Sequence, residues 1–126
     1  MLEHLKIENY ALIRHMDIPF EKGFIAITGE TGAGKSIMLG ALGLVLGQRA
    51  DSNVLWDKEK KCIVEAVFEL DDEFKAVFES NDLDFSSQTI FRREIGANGK
   101  SRAFINDTPV QLTVMKELGE KLMDIH

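Results

Sequence analysis

Eight consecutive residues carry the chemistry. Gly29-Glu30-Thr31-Gly32-Ala33-Gly34-Lys35-Ser36 matches G-x-x-x-x-G-K-[ST], the pattern of a loop that cradles a polyphosphate. Such a ligand needs several donors converging on one concavity, and successive backbone N–H groups in a glycine-rich turn supply them. Gly32 and Gly34 permit a close approach that a Cβ would block. A helix expected to start near Lys35 aims its partial positive charge at the same point. In this arrangement Lys35 reaches the β- and γ-phosphates and is the catalytic candidate, and the Ser36 hydroxyl is the Mg²⁺ ligand.

The same chemistry asks for a carboxylate at the end of a second buried strand, to hold Mg²⁺ and position water. Ala66-Val67-Phe68-Glu69-Leu70-Asp71-Asp72 is the nearest candidate, but Glu69 interrupts its apolar run. Asp71 and Asp72 read better as solvated acids at a helix start. The apolar lead before Asp124 is too short. The residues therefore show a phosphate grip without a visible hydrolytic acid. Two rivals stay open: a self-sufficient small P-loop kinase using Asp71 or Asp72, and a non-catalytic nucleotide-dependent assembly module.

The elements that must position the loop can be read from pattern. Residues 2–7 and about 11–18 read as two strands close enough for an antiparallel pair. Glu21-Lys22-Gly23 is a turn, and Phe24-Ile25-Ala26-Ile27 suits a strand buried on both faces. The loop spans residues 28–34. A helix over about 35–46 is apolar nearly all round, which predicts burial inside the domain. Gly40 and Gly43 cost it about 1 kcal/mol each relative to Ala, so close packing against a sheet is the expected compensation. Gly47 is placed to end it in the left-handed conformation. Residues 62–70 alternate as a half-exposed strand with Glu65 and Glu69 on one side, and 71–80 fit a short helix. Residues 89–95 and 101–106 flank Gly96-Ala97-Asn98-Gly99, a strong hairpin signal. Residues 110–122 read as a helix with Leu112, Met115, Leu118, Leu122 and Met123 on one face. Met123-Asp124-Ile125-His126 starts a further strand or loop, so the ending is expected to be a cut.

Composition sets the outer bounds. The chain has 126 residues, 44% hydrophobic and 29% charged, with a net charge of −6, as one soluble globular domain would have. That charge excludes a wholly basic nucleic-acid-coating protein but not a local basic patch. Arg92, Arg93, Lys100 and Arg102 on the hairpin are such a patch: either a DNA-phosphate contact or, better, a solvated edge whose charges discourage strand aggregation. Arg49, just past the helix, reads as a surface arginine, with approach to a nucleotide or a neighbouring head as the alternative. His4, His15 and His126 are scattered and suggest no metal site. Trp56 and the single cysteine, Cys62, are expected to pack rather than react, and residues 57–61 form a solvated turn. No signal peptide or membrane span is visible, so a reducing cytoplasm is the expected compartment.

Leu5-Lys6-Ile7-Glu8-Asn9-Tyr10-Ala11-Leu12-Ile13, then Thr28-Gly29-Glu30-Thr31-Gly32-Ala33-Gly34-Lys35-Ser36-Ile37, then Leu46-Gly47-Gln48-Arg49-Ala50 resemble, in order, the N-terminus of the RecN family of bacterial DNA-repair ATPases. Gly99-Lys100-Ser101-Arg102-Ala103-Phe104-Ile105-Asn106, Pro109-Val110 and Asp124-Ile125-His126 are similar to the same family. The resemblance covers essentially the whole chain. It implies an α/β P-loop NTPase of the ABC/SMC head type, with residues 1–126 as an N-terminal lobe of mixed sheet and antiparallel β-subdomain. A coiled coil and a C-terminal lobe with signature motif and Walker B would lie elsewhere. ATP and Mg²⁺ are the implied cofactors, bound by Gly29, Glu30, Thr31, Gly32, Ala33, Gly34, Lys35, Ser36 and Ile37. Transporter-type heads often carry Thr where Ile37 stands, so only the Ile37 N–H remains for the α-phosphate. Asn9-Tyr10 fits the SMC pattern near the adenine, whereas Ala11 and Leu12 depart from it. The implied partners are the coiled coil and C-terminal lobe, a second head in a homodimer, and DNA, with nucleoid association on DNA damage and no membrane. The family's Q-loop glutamine would follow His126.

Overall fold

The computed structural model describes residues 1–20, 32–50 and 52–124. Six strands form one sheet: β1 (Leu2–Tyr10), β2 (Ile13–Pro19), β3 (Cys62–Glu69), β4 (Gln88–Ile95), β5 (Ser101–Ile105) and β6 (Thr108–Val110). Their order is β2-β1-β3-β4-β5-β6, and every pairing among the described residues is antiparallel. The expected antiparallel subdomain is therefore present. The turn at 21–23 and the strand at 24–27, on which the mixed character rested, lie outside the described residues. Pro19 and Pro109 sit in the first and last strands of that order, where a residue without an N–H is tolerated.

Period-two alternation builds the two faces. On the inner face Leu5, Ile7, Val64, Ala66, Phe91, Ala103 and Ile105 are buried. Helix α1 (Gly32–Val45) and helix α3 (Leu112–Asp124) cover that face, α1 against β1, β3 and β4 and α3 against β5. The outer face is a charge pattern. One row across four strands runs Asp17, Lys6, Glu65, Arg92, alternating in sign at each step, and Arg92 then faces Phe104 on β5. Glu65 and Glu69 lie on this side, as the alternation of β3 requires.

Between β3 and β4 the chain makes a 3₁₀ turn (Asp72–Phe74) running into helix α2 (Lys75–Ser80). Asp71 caps it, its carboxylate accepting the Glu73 N–H at 3.0 Å. Phe74 and Phe78 anchor it in the core, and Phe78 meets Phe85 edge-on, centroids 5.5 Å apart. Burying a side chain of that size contributes about 2 kcal/mol.

Several expectations need correcting. α1 begins at Gly32 rather than near Lys35, so the backbone of Gly32, Ala33 and Gly34 belongs to the helix. It is not buried all round: Ala41, Leu42, Leu44 and Val45 are buried, but Leu39 is 49% exposed, because α1 packs on the sheet along one side. The space beside Gly40 is filled by the Tyr10 hydroxyl and that beside Gly43 by the Gln48 side chain, not by the sheet's broad face. α3 begins at Leu112, since residues 108–110 are spent on β6. Met115, Leu118 and Leu122 are buried as expected, but Met123 is 63% exposed, one position round from Leu122 and so turned off the packed face.

Candidate nucleotide-binding site

The residues of the phosphate-loop motif divide at the start of α1. Gly29, Glu30 and Thr31 lie outside the described residues. Gly32, Ala33, Gly34, Lys35, Ser36 and Ile37 contribute their backbone to the first turns of the helix, with Ser36 exposed and Ile37 half-buried. The first four N–H groups of any α-helix lack intrahelical acceptors. No acidic side chain stands in the first turn of α1, so among the described residues nothing there opposes the attraction of its positive dipole end for an anion.

What fixes α1 is spread over three places. Near its middle, Tyr10 at the end of β1 sets its hydroxyl against Gly40. At its C-terminus Gly47 takes φ +96°, as expected. There Gly47 N donates to Leu44 O at 3.2 Å and Gln48 N to Gly43 O at 3.0 Å, the two bonds of a Schellman end. Gly47 also lies on the backbone of Lys116 in α3, and Gly119 of α3 lies on the backbone of Leu46, so the two glycines let the turn that ends α1 approach α3 closely. The third anchor is Arg93. It is 1% exposed, its Nη1 donating to Leu44 O at 2.8 Å and Gln48 O at 2.7 Å and its Nε to Ser101 Oγ at 2.8 Å. Burial lowers its guanidinium pKa, and neighbouring Cys62 acts against that shift. Cys62 is fully buried and unpaired, and burial pushes its thiol up to about 12.

The expected basic patch on the hairpin is not what forms. Arg93 points inward, because Phe91, Arg93 and Ile95 share the buried face of β4. Arg92 points outward into carboxylates, 2.6 Å from Asp107 and 3.9 Å from Glu65, with its guanidinium 4.4 Å above the Phe104 ring. Only Lys100 and Arg102 remain exposed. Neither a four-cation DNA contact nor a four-cation solvated edge describes this arrangement.

The acids proposed for a kinase are otherwise engaged. Asp71 is spent on its cap, and exposed Asp72 pairs with Lys75 at 3.5 Å. Among the described residues no cluster of His, Cys, Asp or Glu suits a metal ion; His4 pairs with Asp17 and His15 lies 3.7 Å from Glu8, while His126 lies outside the described residues. Arg49 is exposed.

Sequence reasoning set Asn9 in the pattern near the adenine and missed its structural role. Its backbone is left-handed at φ +57° and its side chain is buried. Its Nδ2 donates to the carbonyls of Asp57, Lys60 and Lys61 at 3.0, 2.9 and 3.3 Å, and its Oδ1 accepts the Asp57 N–H at 2.6 Å. One side chain thus ties the solvated turn at 57–61 to the end of β1. Trp56 beside it is 44% exposed rather than packed, with Arg14 4.8 Å above its ring. Glu8, Asn9, Arg14, His15, Trp56, Asp57, Lys60 and Lys61 line a depression of about 410 Å³ here.

Residues 4–124 match the AAA domain family. The chain belongs to that family. This AAA domain is 44% identical over 128 residues to the DNA repair protein RecN of Vibrio cholerae, covering all of the chain and 23% of that relative. It thus spans about a quarter of the length of the curated relatives it matches. In fold it is similar to a structure described under the structural biochemistry of ATP-driven dimerisation and DNA-stimulated activation of SMC ATPases. The TM-score is 0.73 at 23% identity, covering 97% of this chain and 79% of that one. The Smc head domain with an extended coiled coil from Pyrococcus furiosus, bound to the C-terminal domain of ScpA, gives 0.72 at 20% identity, covering 97% and 33%. The AAA domain therefore has the SMC-head, ABC-type P-loop fold. No helix among its described residues is long and apolar enough to cross a membrane.

Proposed function

We propose that this AAA domain is the ATP-binding N-terminal half of a RecN-like ATPase acting in DNA double-strand-break repair and recombination. One observation supports the reading: the motif's Gly32-Ala33-Gly34-Lys35-Ser36 run forms the N-terminal end of α1, whose first turn carries no acidic residue, in a chain that matches RecN along all of its own length. Residues 29–37 would hold the phosphates, with Lys35 on the β- and γ-phosphates. The Ser36 hydroxyl, on an exposed position of the first turn, is a hard oxygen donor of the type Mg²⁺ takes. Bound ATP·Mg²⁺ supplies a phosphoryl group that water can accept. The chain's own residues fix those phosphates and offset their charge, which is most of what phosphoryl-transfer catalysis asks of a protein.

The acid and the remaining contacts of the hydrolytic site are assigned to a C-terminal lobe reached through a coiled coil, and to a second head in a homodimer. Nucleotide binding would favour engaged heads and hydrolysis would release them, with DNA as the object of the movement and the cytoplasmic nucleoid as the place. The 126-residue chain alone is expected to bind Mg·ATP weakly and not to turn it over. Nucleotide titration and a turnover assay on the chain and on Lys35→Ala test this. Saturable binding that weakens at least about tenfold in the variant, with no steady hydrolysis, is the expected pair of results. Steady hydrolysis by the chain alone would refute the half-site reading, and equal binding by Lys35→Ala would refute the phosphate cradle. A Lys35→Ala parent that still repairs breaks would favour the assembly-module alternative.

A further inference from the structure

We infer that Arg93 is a positioning residue for the phosphate-binding end of α1, holding that helix from strand β4 by its C-terminal carbonyls. The inference rests on the nucleotide-binding reading of α1 and adds to it a residue far from the motif.

A helix C-terminus concentrates partial negative charge and unpaired carbonyls, which a cation in the last turn ordinarily answers. α1 has no basic residue in its last turn. The answer comes instead from the sheet. Arg93 brings one nitrogen to Leu44 O and Gln48 O, on either side of the reversal at Gly47, and a second to Ser101 Oγ. Its partners are carbonyls and a hydroxyl, so among the described residues the charge of this buried group faces the helix end and pairs with no acid. Three bonds from one planar, rigid group fix the height of the helix on the sheet and its rotation together, which the single point donor of a lysine cannot do.

The other end of the same rod is the motif. Fourteen residues separate Gly32 from Val45 inclusive, a length of about 20 Å at the usual rise. Close-packed helices move as units, so displacement at the carbonyl end reappears at the N–H groups facing the phosphates. The remaining anchors do not duplicate Arg93. Tyr10 meets α1 sideways at Gly40, and α3 limits only its approach at Gly47, so neither bonds the terminal carbonyls.

The test compares Mg·ATP affinity and melting temperature across Arg93→Met, Arg93→Lys, Ser101→Ala and Lys35→Ala. Leu118→Ala serves as a control for lost packing on α3. Arg93→Met is expected to weaken binding by about tenfold, with Arg93→Lys recovering part of it. Leu118→Ala should lose at least as much melting temperature and bind as the wild type does. A second readout needs no destabilised variant: the Arg93 Nε–H resonance of the wild type should shift when Mg·ATP is added about 20 Å away. Binding unchanged in Arg93→Met, or equally weakened in Leu118→Ala, overturns the inference, as does an unmoved Nε–H resonance in saturated protein. Should Arg93→Met not fold, Ser101→Ala and the resonance decide. Wild-type binding that Lys35→Ala leaves intact would instead show that the phosphate-loop reading itself has failed.

Discussion

The contact between α3 and the turn that ends α1 gives the sharpest test of the packing, because two glycines serve it from opposite sides. A Cβ on Gly47 would lie 2.5 Å from Lys116 Cα and 2.6 Å from its amide nitrogen. Carbon contacts settle near 3.5–4.0 Å, so α3 would have to retreat by about 1 Å. Overpacking of this kind costs about 1–3 kcal/mol. The left-handed backbone, φ +96°, adds about 1–2 kcal/mol for a residue with a side chain. Gly47→Ala is therefore expected to lose roughly 2–5 kcal/mol. At Gly119 a Cβ would lie 2.9 Å from both Leu46 Cα and its carbonyl carbon. The overpacking is similar there, but alanine regains about 1 kcal/mol of helix propensity, leaving a net loss of about 0–2 kcal/mol. Both substitutions force the same separation, so the double variant should cost at least about 1 kcal/mol less than the sum of the singles. Urea unfolding followed by circular dichroism and by Trp56 fluorescence measures all three, provided the two probes coincide. A Gly119→Ala chain stabilised by the full propensity gain, or strict additivity, would show that the helices do not meet as described.

Three further outcomes are expected. Asn9→Ala should lose about 2–3 kcal/mol, since four part-buried hydrogen bonds go, and Asn9→Asp should lose more, because a carboxylate would face the carbonyls of Asp57, Lys60 and Lys61; urea midpoints check the ranking, and an Asn9→Asp chain as stable as the wild type would contradict the clamp. The Cys62 thiol titrates higher folded, at about 12, than its ordinary value of 9.0, so its contribution is intact below pH 9 and lost as pH rises from there towards 12, at up to about 1.4 kcal/mol per unit. The unfolding midpoint of wild type should thus fall more steeply than that of Cys62→Ala above pH 9, and parallel curves would refute the assignment. Asp71→Ala should cost about 1 kcal/mol through its lost cap and leave Mg·ATP affinity untouched; a large loss of affinity would revive the kinase reading.

Much of this was legible in the chain because it depends on local chemistry. Gly47 ends α1 since few other residues adopt its backbone angle, and Asn98-Gly99 turns the β4–β5 hairpin for a related reason. The alternation of β3 shows directly in its burial. Other features needed the third dimension. The same alternation that hid Phe91 and Ile95 also placed Arg93 inside, but a charge on a buried face reads as exposed until its partners are known, and those partners are carbonyls 45 to 49 residues away in sequence. Asn9 reads as a polar break between two strands, and its role rests on a turn some fifty residues downstream. β6 is three residues around a proline, too short for periodicity to register. Of the candidate site, the residue types were legible and the start of the helix was misjudged by three positions, the usual fate of boundaries set by backbone bonds rather than by side chains.

The row of Asp17, Lys6, Glu65 and Arg92 across the outer face guards against an error that the core cannot detect. A strand sliding by two residues keeps its apolar side inward, so burial alone scarcely penalises the mistake. In this sheet such a slide sets Glu8 against Asp17, Glu8 against Glu65, or Glu65 against Glu94 in one direction. In the other it parts Lys6 from Asp17, Lys6 from Glu65 or Glu65 from Arg92. Each miss costs about 0.2–1 kcal/mol, and three adjoining seams multiply the odds against a misaligned sheet. The wet side of the molecule thereby proofreads the alignment of the dry side on which α1 rests.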